Sequence, residues 1–409
     1  MEKALYKFID SKRDWIISFT KSLVEIPTVN PPGNNYEKLV GRLEKELKSL
    51  LRLSVRKITV PQRLVIKKGI RGASKRVCLL GCWQTGSKKT VHLNGHYDVV
   101  PASSNWDTPP FQALLKGDRL YGRGSEDMKG TISSMVLGVW ALKELGLQPE
   151  VNVEFSFTPD EEIGGETGFG WLVKKGIVKP DYGISEGYTD SYISCGNKGM
   201  IWAEFGICGL SAHGATPHMG INAFDGMIEM ATELKSLNKR VSRRRTKWAM
   251  RNDKDRYATL VLGGEAGGGT KINMVPDYAS FSVDRRILPE ENIRNVKSEL
   301  EGVLNRMRRR RPDLKFSMKI KMSDGPVVID KANKLPKAIG SAVKKVLGVR
   351  ANYGVMPGGT DMRYLIKRGI PAVGYSARGG FRWHSDNEYI SVRSMLNTAK
   401  IYALTILNL

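Results

Sequence analysis

Residues 122–130 read GRGSEDMKG, a glycine-rich stretch that lies between a predicted strand and a predicted helix. It follows an apolar run at 90–94 and continues into residues 131–145, where apolar positions recur at helical spacing. An alternating apolar run at 151–158 comes next. Strand, glycine-rich loop, helix and strand in this order are typical of an α/β layer structure. We therefore predict an α/β domain for the first half of the chain.

From about residue 200 the order of elements changes. The predicted elements are a strand at 200–208, a helix at 221–237, strands at 257–263 and 277–286, a helix at 290–310 and a strand at 315–321. This β-α-β-β-α-β order is that of a ferredoxin-like unit. We therefore predict a discontinuous α/β domain formed by residues 1–199 and 322–409, with a ferredoxin-like α+β domain inserted at 200–321.

The chain is strongly basic, because its 409 residues include 65 Lys and Arg against 41 Asp and Glu, a formal net charge of +24. Such a balance raises the question of nucleic-acid binding. Basic residues are concentrated at 240–247 and 306–311, but aromatic residues do not alternate with them. We interpret both runs as solvated helix ends, so nucleic acid is not an expected partner.

Four cysteines are too few for a disulfide framework in a chain of this length, and we expect all four to be reduced core residues. Residues 1–14 mix charges of both signs with apolar positions at helical spacing, unlike a signal peptide. No uncharged stretch reaches the roughly 18 residues that a membrane span needs. We therefore expect a cytoplasmic protein with no membrane partner.

Titratable side chains follow both predicted strands of the first half. His96 lies two residues before Asp98, and in an extended chain both side chains point to one face. One imidazole nitrogen is then free for a metal while Asp98 orients the other. Asp160, Glu161 and Glu162 end the second strand, which is costly unless a cation or protons compensate them. A solvated acidic turn is the structural alternative for these three residues.

The glycine-rich stretch has a rival interpretation as a phosphate cradle. However, the pattern GxxxxGK[ST] is absent, and the acidic pair Glu126 and Asp127 would repel phosphate.

Five motifs taken together resemble the M20 metallopeptidase and deacylase family. They are HxD at 96–98, GRGxxDMKG at 122–130, TPDEE at 158–162, ISEG at 184–187 and WHSDNE at 383–388. The resemblance runs from the IPTVNPPG loop at 26–33 to the C-terminal helix. That family includes acetylornithine deacetylase, succinyl-diaminopimelate desuccinylase, aminoacylase and glutamate carboxypeptidase. It implies a dinuclear-metal, aminopeptidase-like catalytic domain whose inserted domain serves as lid and dimerisation domain.

The resemblance also implies two divalent metal ions per subunit. His96 and Glu186 would bind one ion, Glu162 and His384 the other, and Asp127 would bridge the two. Three carboxylates and two divalent cations sum to a charge of +1, which favours a bound hydroxide. Zinc is the metal we expect, and cobalt or manganese would suit similar ligands.

The remaining implied roles concern catalysis and substrate. Glu161 resembles the general base, which requires a turn at 160–164 because adjacent residues of an extended chain point in opposite directions. Asp98 would be the partner of His96, and His213 would reach across a dimer to hold the oxyanion. The implied substrate-binding residues are Asn273, Arg286, Gly359 and Thr360. His92 and His218 are interpreted as structural.

The resemblance implies a metal-dependent hydrolase of amino-acid biosynthesis, of the acetylornithine deacetylase or succinyl-diaminopimelate desuccinylase type. Such an enzyme cleaves the amide bond of N-acyl amino acids that bear a free carboxylate. An M20 dipeptidase or carboxypeptidase is the alternative. A nucleic-acid-binding protein on an inactive hydrolase scaffold is a distant third. The expected partners are a small N-acyl amino acid or dipeptide and, through the inserted domain, a second copy of the chain. Trp383 and the basic segment 378–382 depart from the family pattern, and substrate selection is expected to differ there.

Overall fold

The computed structural model describes residues 1–70 and 74–409. These residues form two compact units. The first comprises Met1–Gly196, Ile329–Gly354 and Thr360–Leu409, and the second comprises Asn197–Val328 and Val355–Gly359. The sequence predicts boundaries at 200 and 321, somewhat inside those of the second unit, whose final long strand runs on to Asp324.

The first unit begins with helices and strands that alternate along the chain. The helices are α1 (Glu2–Ser11), α2 (Arg13–Val24), α3 (Tyr36–Ser49), α4 (Gln62–Lys67), α5 (Gly130–Glu144) and α6 (Phe169–Lys174). The strands are β1 (Ser54–Thr59), β2 (Val77–Trp83), β3 (Thr90–His96), β4 (Leu114–Lys116), β5 (Arg119–Tyr121), β6 (Asn152–Thr158), β7 (Tyr182–Tyr188) and β8 (Tyr192–Asn197).

The second unit and the return of the chain follow. The second unit contains β9 (Gly199–Cys208), β10 (Ala212–His213), α7 (Ala223–Val241), β11 (Thr259–Gly268), β12 (Met274–Val275), β13 (Tyr278–Ile287), α8 (Ile293–Arg310), β14 (Lys315–Asp324) and β15 (Val327–Val328). The elements after it are α9 (Lys334–Leu347), β16 (Asn352–Met356), α10 (Met362–Ile366), β17 (Ala372–Tyr375), β18 (Tyr389–Ser391) and α11 (Val392–Leu407).

The sheet of the first unit runs in the order β1-β2-β6-β3-β7-β17-β8. Its central strands β6, β3, β7 and β17 are parallel, as each of these neighbouring pairs shows. The carboxyl ends of parallel strands meet at one edge, so residues at the ends of β3, β6 and β7 are brought together there. This edge is where the predicted site residues of the first half of the chain lie.

Helix α5 lies in the core of the first unit. Twelve of its fifteen residues are buried, including Ile132, Met135 and Val136, and a helix that is apolar on all sides belongs in a core. Its Gly138 allows close contact with α11, because a Cβ there would lie 2.7 Å from the carbonyl oxygen of Ala399. The predicted helix at 131–145 is confirmed by α5.

The second unit has the predicted β-α-β-β-α-β order. Its antiparallel sheet runs β11-β13-β9-β14, and the alternation of β13 places Phe281, Val283 and Ile287 in one core with residues of α7 and α8. Asn222 and Asn292 cap these two helices, each side-chain oxygen accepting a backbone N–H two residues on, at 2.9 and 2.8 Å. The predicted ferredoxin-like unit is therefore present.

The basic runs lie at the ends of α7 and α8, where many of their residues form ion pairs. Arg244 contacts Glu299 at 2.5 Å and Glu291 at 2.8 Å, and Arg311 contacts Glu229 at 2.6 Å. Much of the positive charge in these runs is therefore neutralised within the unit.

All four cysteines are free thiols, as expected. The expectation that all are core residues is wrong for Cys82, which is half-buried, and for Cys208, which is exposed because it shares a face of β9 with the exposed Trp202. Among the residues that the structure describes, none of the helices is long and apolar enough to cross a membrane.

Helix packing at Gly138 gives a test of the fold. Gly138→Ala should lower the free energy of unfolding by about 1 to 3 kcal/mol, because the added methyl group overpacks α5 against α11. The matched control is Gly41→Ala in α3, where nothing lies within 4 Å of an added Cβ. That change should raise stability by up to about 1 kcal/mol through helix propensity. Urea unfolding of both variants checks the prediction, and equal effects would contradict it.

Candidate metal centre

Three predicted ligands converge at the carboxyl edge of the sheet. His96 is the last residue of β3, Asp127 lies with non-helical backbone angles in the segment Ser125–Lys129 before α5, and Glu162 lies in the 3-10 turn Glu161–Ile163 after β6. One ligand atom from each of the three side chains lies within 4.8 Å of the others. The structure therefore brings together residues from three of the five sequence motifs.

His384, from the WHSDNE motif, joins this cluster as a fourth side chain. Its Nε2 lies 2.9 Å from Oε2 of Glu162 and 3.7 Å from Oδ2 of Asp127. The other oxygen of Asp127, Oδ1, lies 3.2 Å from Nε2 of His96. Asp127 therefore directs one oxygen towards each histidine, which is the arrangement that a bridging carboxylate requires.

Electrostatics in the cluster reflect the crowding of acids away from water. Burial raises the pKa of Glu162 and raises that of Glu161 well above its usual range. Burial opposes protonation of His96, but hydrogen bonds to Asp127 and Asp98 outweigh it and raise the pKa of His96 well above its ordinary value. The hydrogen bond to Glu162 raises the pKa of His384. Two imidazoles among crowded, buried carboxylates are a donor set that fits divalent cations.

Glu186 lies on β7 beside the cluster, but its carboxylate is engaged elsewhere. One oxygen accepts the backbone N–H of Asp361 and the other accepts the hydroxyl of Ser185. Burial and the charge of Glu186 raise the pKa of Asp361 to about 8. Asp361 follows the GGT segment at 358–360 and is not among the predicted site residues. Its position directly after the predicted substrate-binding residues Gly359 and Thr360 could have identified it.

Asp98 contacts its predicted partner His96 and also the backbone of Glu161 and Glu162. Its carboxylate accepts the backbone N–H groups of Glu161 at 3.2 Å and Glu162 at 3.3 Å. The Nδ1 of His96 lies 3.1 Å from the carbonyl oxygen of Asp98 and 3.5 Å from its carboxylate. The required turn is present, since Asp160 has a φ of 69° and the 3-10 turn follows it. Asp98 thus fixes the turn that separates Glu161 from Glu162, besides adjoining His96.

A buried ion pair between Arg76 and Asp160 stabilises the start of this turn. Nε of Arg76 lies 2.9 Å from Oδ2 of Asp160, and both side chains are fully buried. The amide of Asn30 donates to Asp98 at 2.9 Å and to Asp160 at 3.0 Å, which joins the two acids. Arg76 was missed, because an isolated Arg before a strand carries no pattern; Asn30 lies in the quoted loop at 26–33.

The second unit holds His213 and Asn273 side by side. His213 pairs with Met274 across the β10/β12 ladder, and Gly214 donates its N–H to the carbonyl oxygen of Asn273 at 2.8 Å. Nδ1 of the exposed His213 accepts the N–H of Ala215 at 3.0 Å.

The predicted carboxylate clamp Arg286 also lies in the second unit. Its Nε lies 2.9 Å from Oδ1 of Asp284, and its guanidinium lies 5.7 Å from the ring centre of Trp202. Gly359 belongs to the second unit and Thr360 to the first. Within residues 1–70 and 74–409, the buried hydroxyl of Thr360 has no hydrogen-bond partner.

The basic segment 378–382 before His384 is partly buried. The guanidinium of Arg378 lies 4.4 Å from the ring centre of Trp383, and its Nη2 donates to the carbonyl oxygen of Gly187 at 2.7 Å. Arg378 is buried, whereas Arg382 is exposed. Trp383, the departure from the family pattern, therefore serves as a stacking partner for a buried cation.

Comparison with known proteins gives consistent matches. Residues 92–408 match the family model "Peptidase family M20/M25/M40". An uncharacterized metallohydrolase of Methanocaldococcus jannaschii is 26% identical over 422 residues, covering 94% of this chain and 97% of the relative. A probable succinyl-diaminopimelate desuccinylase of Staphylococcus aureus is 30% identical over 262 residues, covering 59% of this chain and 63% of the relative. The dipeptidase Dug1p of Saccharomyces cerevisiae shares the fold, with a TM-score of 0.78 at 18% identity over 100% of this chain and 98% of the other.

The buried pair at Arg76 generates a stability prediction. Arg76→Met should lower the free energy of unfolding by about 3 to 5 kcal/mol at neutral pH, because Asp160 is left buried without its counterion. Lys57→Met is the control, since Lys57 contacts Glu44 at 2.9 Å with half of its side chain exposed. Its loss should cost less than about 1 kcal/mol. Urea unfolding measures both, and a small effect at Arg76 would show that Asn30 and its neighbours suffice for Asp160.

Proposed function

The chain belongs to peptidase family M20/M25/M40 and is a metallohydrolase, and from this premise we propose that it hydrolyses the amide bond of N-acyl amino acids that carry a free carboxylate. The observation that carries the proposal is the convergence of His96, Asp127 and Glu162 within 4.8 Å. Similarity to a protein named as a succinyl-diaminopimelate desuccinylase supports the deacylase type, with acetylornithine deacetylase chemistry as its close equivalent.

We propose that the site holds two divalent metal ions, zinc being the expected metal and cobalt or manganese the alternatives. His96 and Glu186 would hold one, Glu162 and His384 the other, and Asp127 both. Such ions, when bound, polarise a carbonyl group and lower the pKa of water. The two-sided position of Asp127 between the histidines supports this assignment. Glu186 would have to exchange one of its hydrogen bonds for the metal.

The role proposed for Glu161 is that of general base. It would take a proton from the attacking water and pass it to the nitrogen of the leaving amine, so that the amine departs neutral. Asp98 accepts the backbone N–H groups of both Glu161 and Glu162 and so fixes the turn in which they lie. This fixed turn supports separate roles for two adjacent glutamates.

The proposed substrate contacts bind the carboxylate end. The guanidinium of Arg286 suits a carboxylate because its two parallel donors match the two oxygens. Asp284 occupies that guanidinium in the structure, so a substrate carboxylate would compete with it. Asn273, Gly359 and Thr360 are proposed as the neighbouring contacts, and the unpartnered hydroxyl of Thr360 is available for one.

A dipeptidase or carboxypeptidase is the second candidate, favoured by the fold shared with Dug1p. Both candidates require a free carboxylate at one end of the substrate. They differ at the other end, where a deacylase accepts an acyl group and a dipeptidase accepts a free amine. The test of the proposed function is therefore a hydrolysis screen of N-acetyl amino acids, N-succinyl amino acids and dipeptides.

The screen is run on the chelated protein and after adding zinc, cobalt or manganese. We expect no hydrolysis by the metal-free protein and recovery with about two equivalents of metal. Amidation of the substrate carboxylate should abolish turnover. Hydrolysis of dipeptides alone would establish the second candidate, and full activity without metal would refute both.

Glu161→Gln tests the base. The variant should keep its metal content but lose roughly two to four orders of magnitude in turnover, because the amide keeps the shape and cannot accept the proton. Glu166→Gln is the matched control, since Glu166 lies five residues on and half of its side chain is exposed. Metal analysis and turnover of both proteins check the prediction; near-normal turnover of the first would move the base role to another residue.

We further propose a homodimer formed through the second unit. Exposed apolar side chains support it, namely Phe224 and Ile228 on α7 and Val261 on the edge strand β11, which are 48%, 51% and 58% exposed. In such a dimer, His213 would serve the site of the partner chain, where it would hydrogen-bond the developing oxyanion.

Mixing of two inactive variants tests this arrangement. His213→Ala and Glu161→Gln chains, dissociated and reassociated together, should form heterodimers in which one of the two sites has both residues intact. Activity should return to about half of the wild-type value per heterodimer. Verified heterodimers that stay inactive would mean that His213 acts within its own chain or has no catalytic role.

A further inference from the structure

Two buried glutamates connect the loops that carry Asp127 and His384. Strands β5 and β18 pair with Tyr121 opposite Tyr389, so the loop after β5 and the loop before β18 lie side by side. Glu126 lies in the first loop and Glu388 ends the second, and they are 0% and 1% exposed. Each side chain crosses to the backbone of the other loop.

Glu126 binds the loop that leads to His384. Its Oε1 accepts the N–H groups of Gly379 at 2.9 Å and Phe381 at 3.0 Å, and its Oε2 accepts that of Arg382 at 2.9 Å. The loop can approach only because Gly379 lacks a Cβ, which would lie 2.1 Å from the carbonyl oxygen of Tyr389. Both oxygens of Glu126 are therefore committed to backbone donors, which leaves it poorly placed to act as a base.

Glu388 binds the loop that carries Asp127. Its Oε1 accepts the N–H groups of Glu126 at 2.9 Å and of Asp127 itself at 3.1 Å. Its Oε2 accepts the N–H of Gly124 at 3.0 Å and a guanidinium hydrogen of Arg123 at 2.7 Å. The bond from Glu126 to Glu388 joins residues 262 positions apart in the chain.

We propose that Glu126 and Glu388 form a reciprocal clamp that positions Asp127 and His384 as metal ligands, an inference that rests on the proposed metal site. Hydrogen bonds from backbone N–H groups to an ionised carboxylate are short and strong, and losing one leaves a buried charge or donor unpaired. The two ligands belong to irregular loops with no ladder of their own.

The geometry makes metal binding sensitive to this clamp. Asp127 and His384 approach to 3.7 Å, and a metal site tolerates displacements of only about 0.5 Å. Replacing residues that orient ligands commonly costs about 10- to 100-fold in metal affinity. Glu126 and Glu388 are positioning residues, since each acts on its ligand through the backbone.

The experiment titrates metal-free protein with zinc and measures stoichiometry and affinity by calorimetry. Wild type should bind two zinc ions. Glu126→Gln should bind one of them about 10- to 100-fold more weakly, because an amide nitrogen then faces the N–H of Arg382 or the pair of N–H groups of Gly379 and Phe381. Glu388→Gln should weaken both ions, because Asp127 serves both. The double variant should lose less than the product of the two single effects, since one clamp is broken in each case.

The control is Glu46→Gln, which changes a buried glutamate away from this site that accepts from Trp15 at 3.0 Å and Arg42 at 2.5 Å. It should lower the melting temperature of the metal-free protein while leaving both zinc affinities unchanged. If Glu126→Gln does not fold, Glu126→Asp keeps the charge one methylene shorter and should show a smaller loss of affinity. Wild-type zinc affinity in a folded Glu126 variant would overturn the clamp alone. A wild-type protein that binds no zinc would overturn the proposed metal site, and the clamp's role with it.

Discussion

Many carboxylates are buried at one edge of the central sheet, and their need for donors or cations shapes the loops around them. An ionised carboxylate removed from water costs several kcal/mol unless donors or cations replace its hydration. The chain supplies such replacements to Asp98, Glu126 and Glu388, whose oxygens accept backbone N–H groups. Asp127 and Glu162 instead contact imidazoles, Asp127 that of His96 and Glu162 that of His384. Asp98, Glu126 and Glu388, whose donors are fixed, therefore support the site, whereas Asp127 and Glu162, whose imidazole partners can be exchanged, are suited to bind metal.

Local patterns sufficed to predict the elements that carry the site, but they could not predict the contacts that hold it together. Apolar periodicity predicts a strand at 90–94, which β3 extends to His96, whereas the turn after Asp160 is required only by the role that the resemblance implies for Glu161. The pairing of Arg76 with Asp160 joins residues 84 positions apart, and no spacing rule connects them. The ISEG motif identifies Glu186 as a site residue but does not predict its hydrogen bonds. One of these comes from Asp361, which is distant in the chain and is brought near by the pairing of β7 with β17.

The high positive charge has a structural explanation in the second unit. Basic residues occupy the last turns of α7 and α8, where the partial negative charge of a helix C-terminus favours cations. Arg244 bridges Glu291 and Glu299, and Arg308 donates to the carbonyl oxygen of Phe316 at 2.9 Å. Composition alone could not distinguish such internally paired cations from a binding surface, because it contains no information on their partners.

Strand β3 lies inside the sheet, yet it has a row of polar residues that ends at the candidate ligand His96. His92, Asn94 and His96 alternate along it and therefore share one face. His92 contacts Ser156 at 2.7 Å, and Ser156 donates to Asn94 at 2.7 Å, which in turn donates to Asp361 at 3.2 Å. His92 is thus a structural histidine, as the sequence indicates, but one satisfied by hydrogen bonds and not by apolar packing alone. Because the buried side chains of His92 and Asn94 have partners on the neighbouring strand β6, the central strand tolerates polar residues on the face that ends at His96.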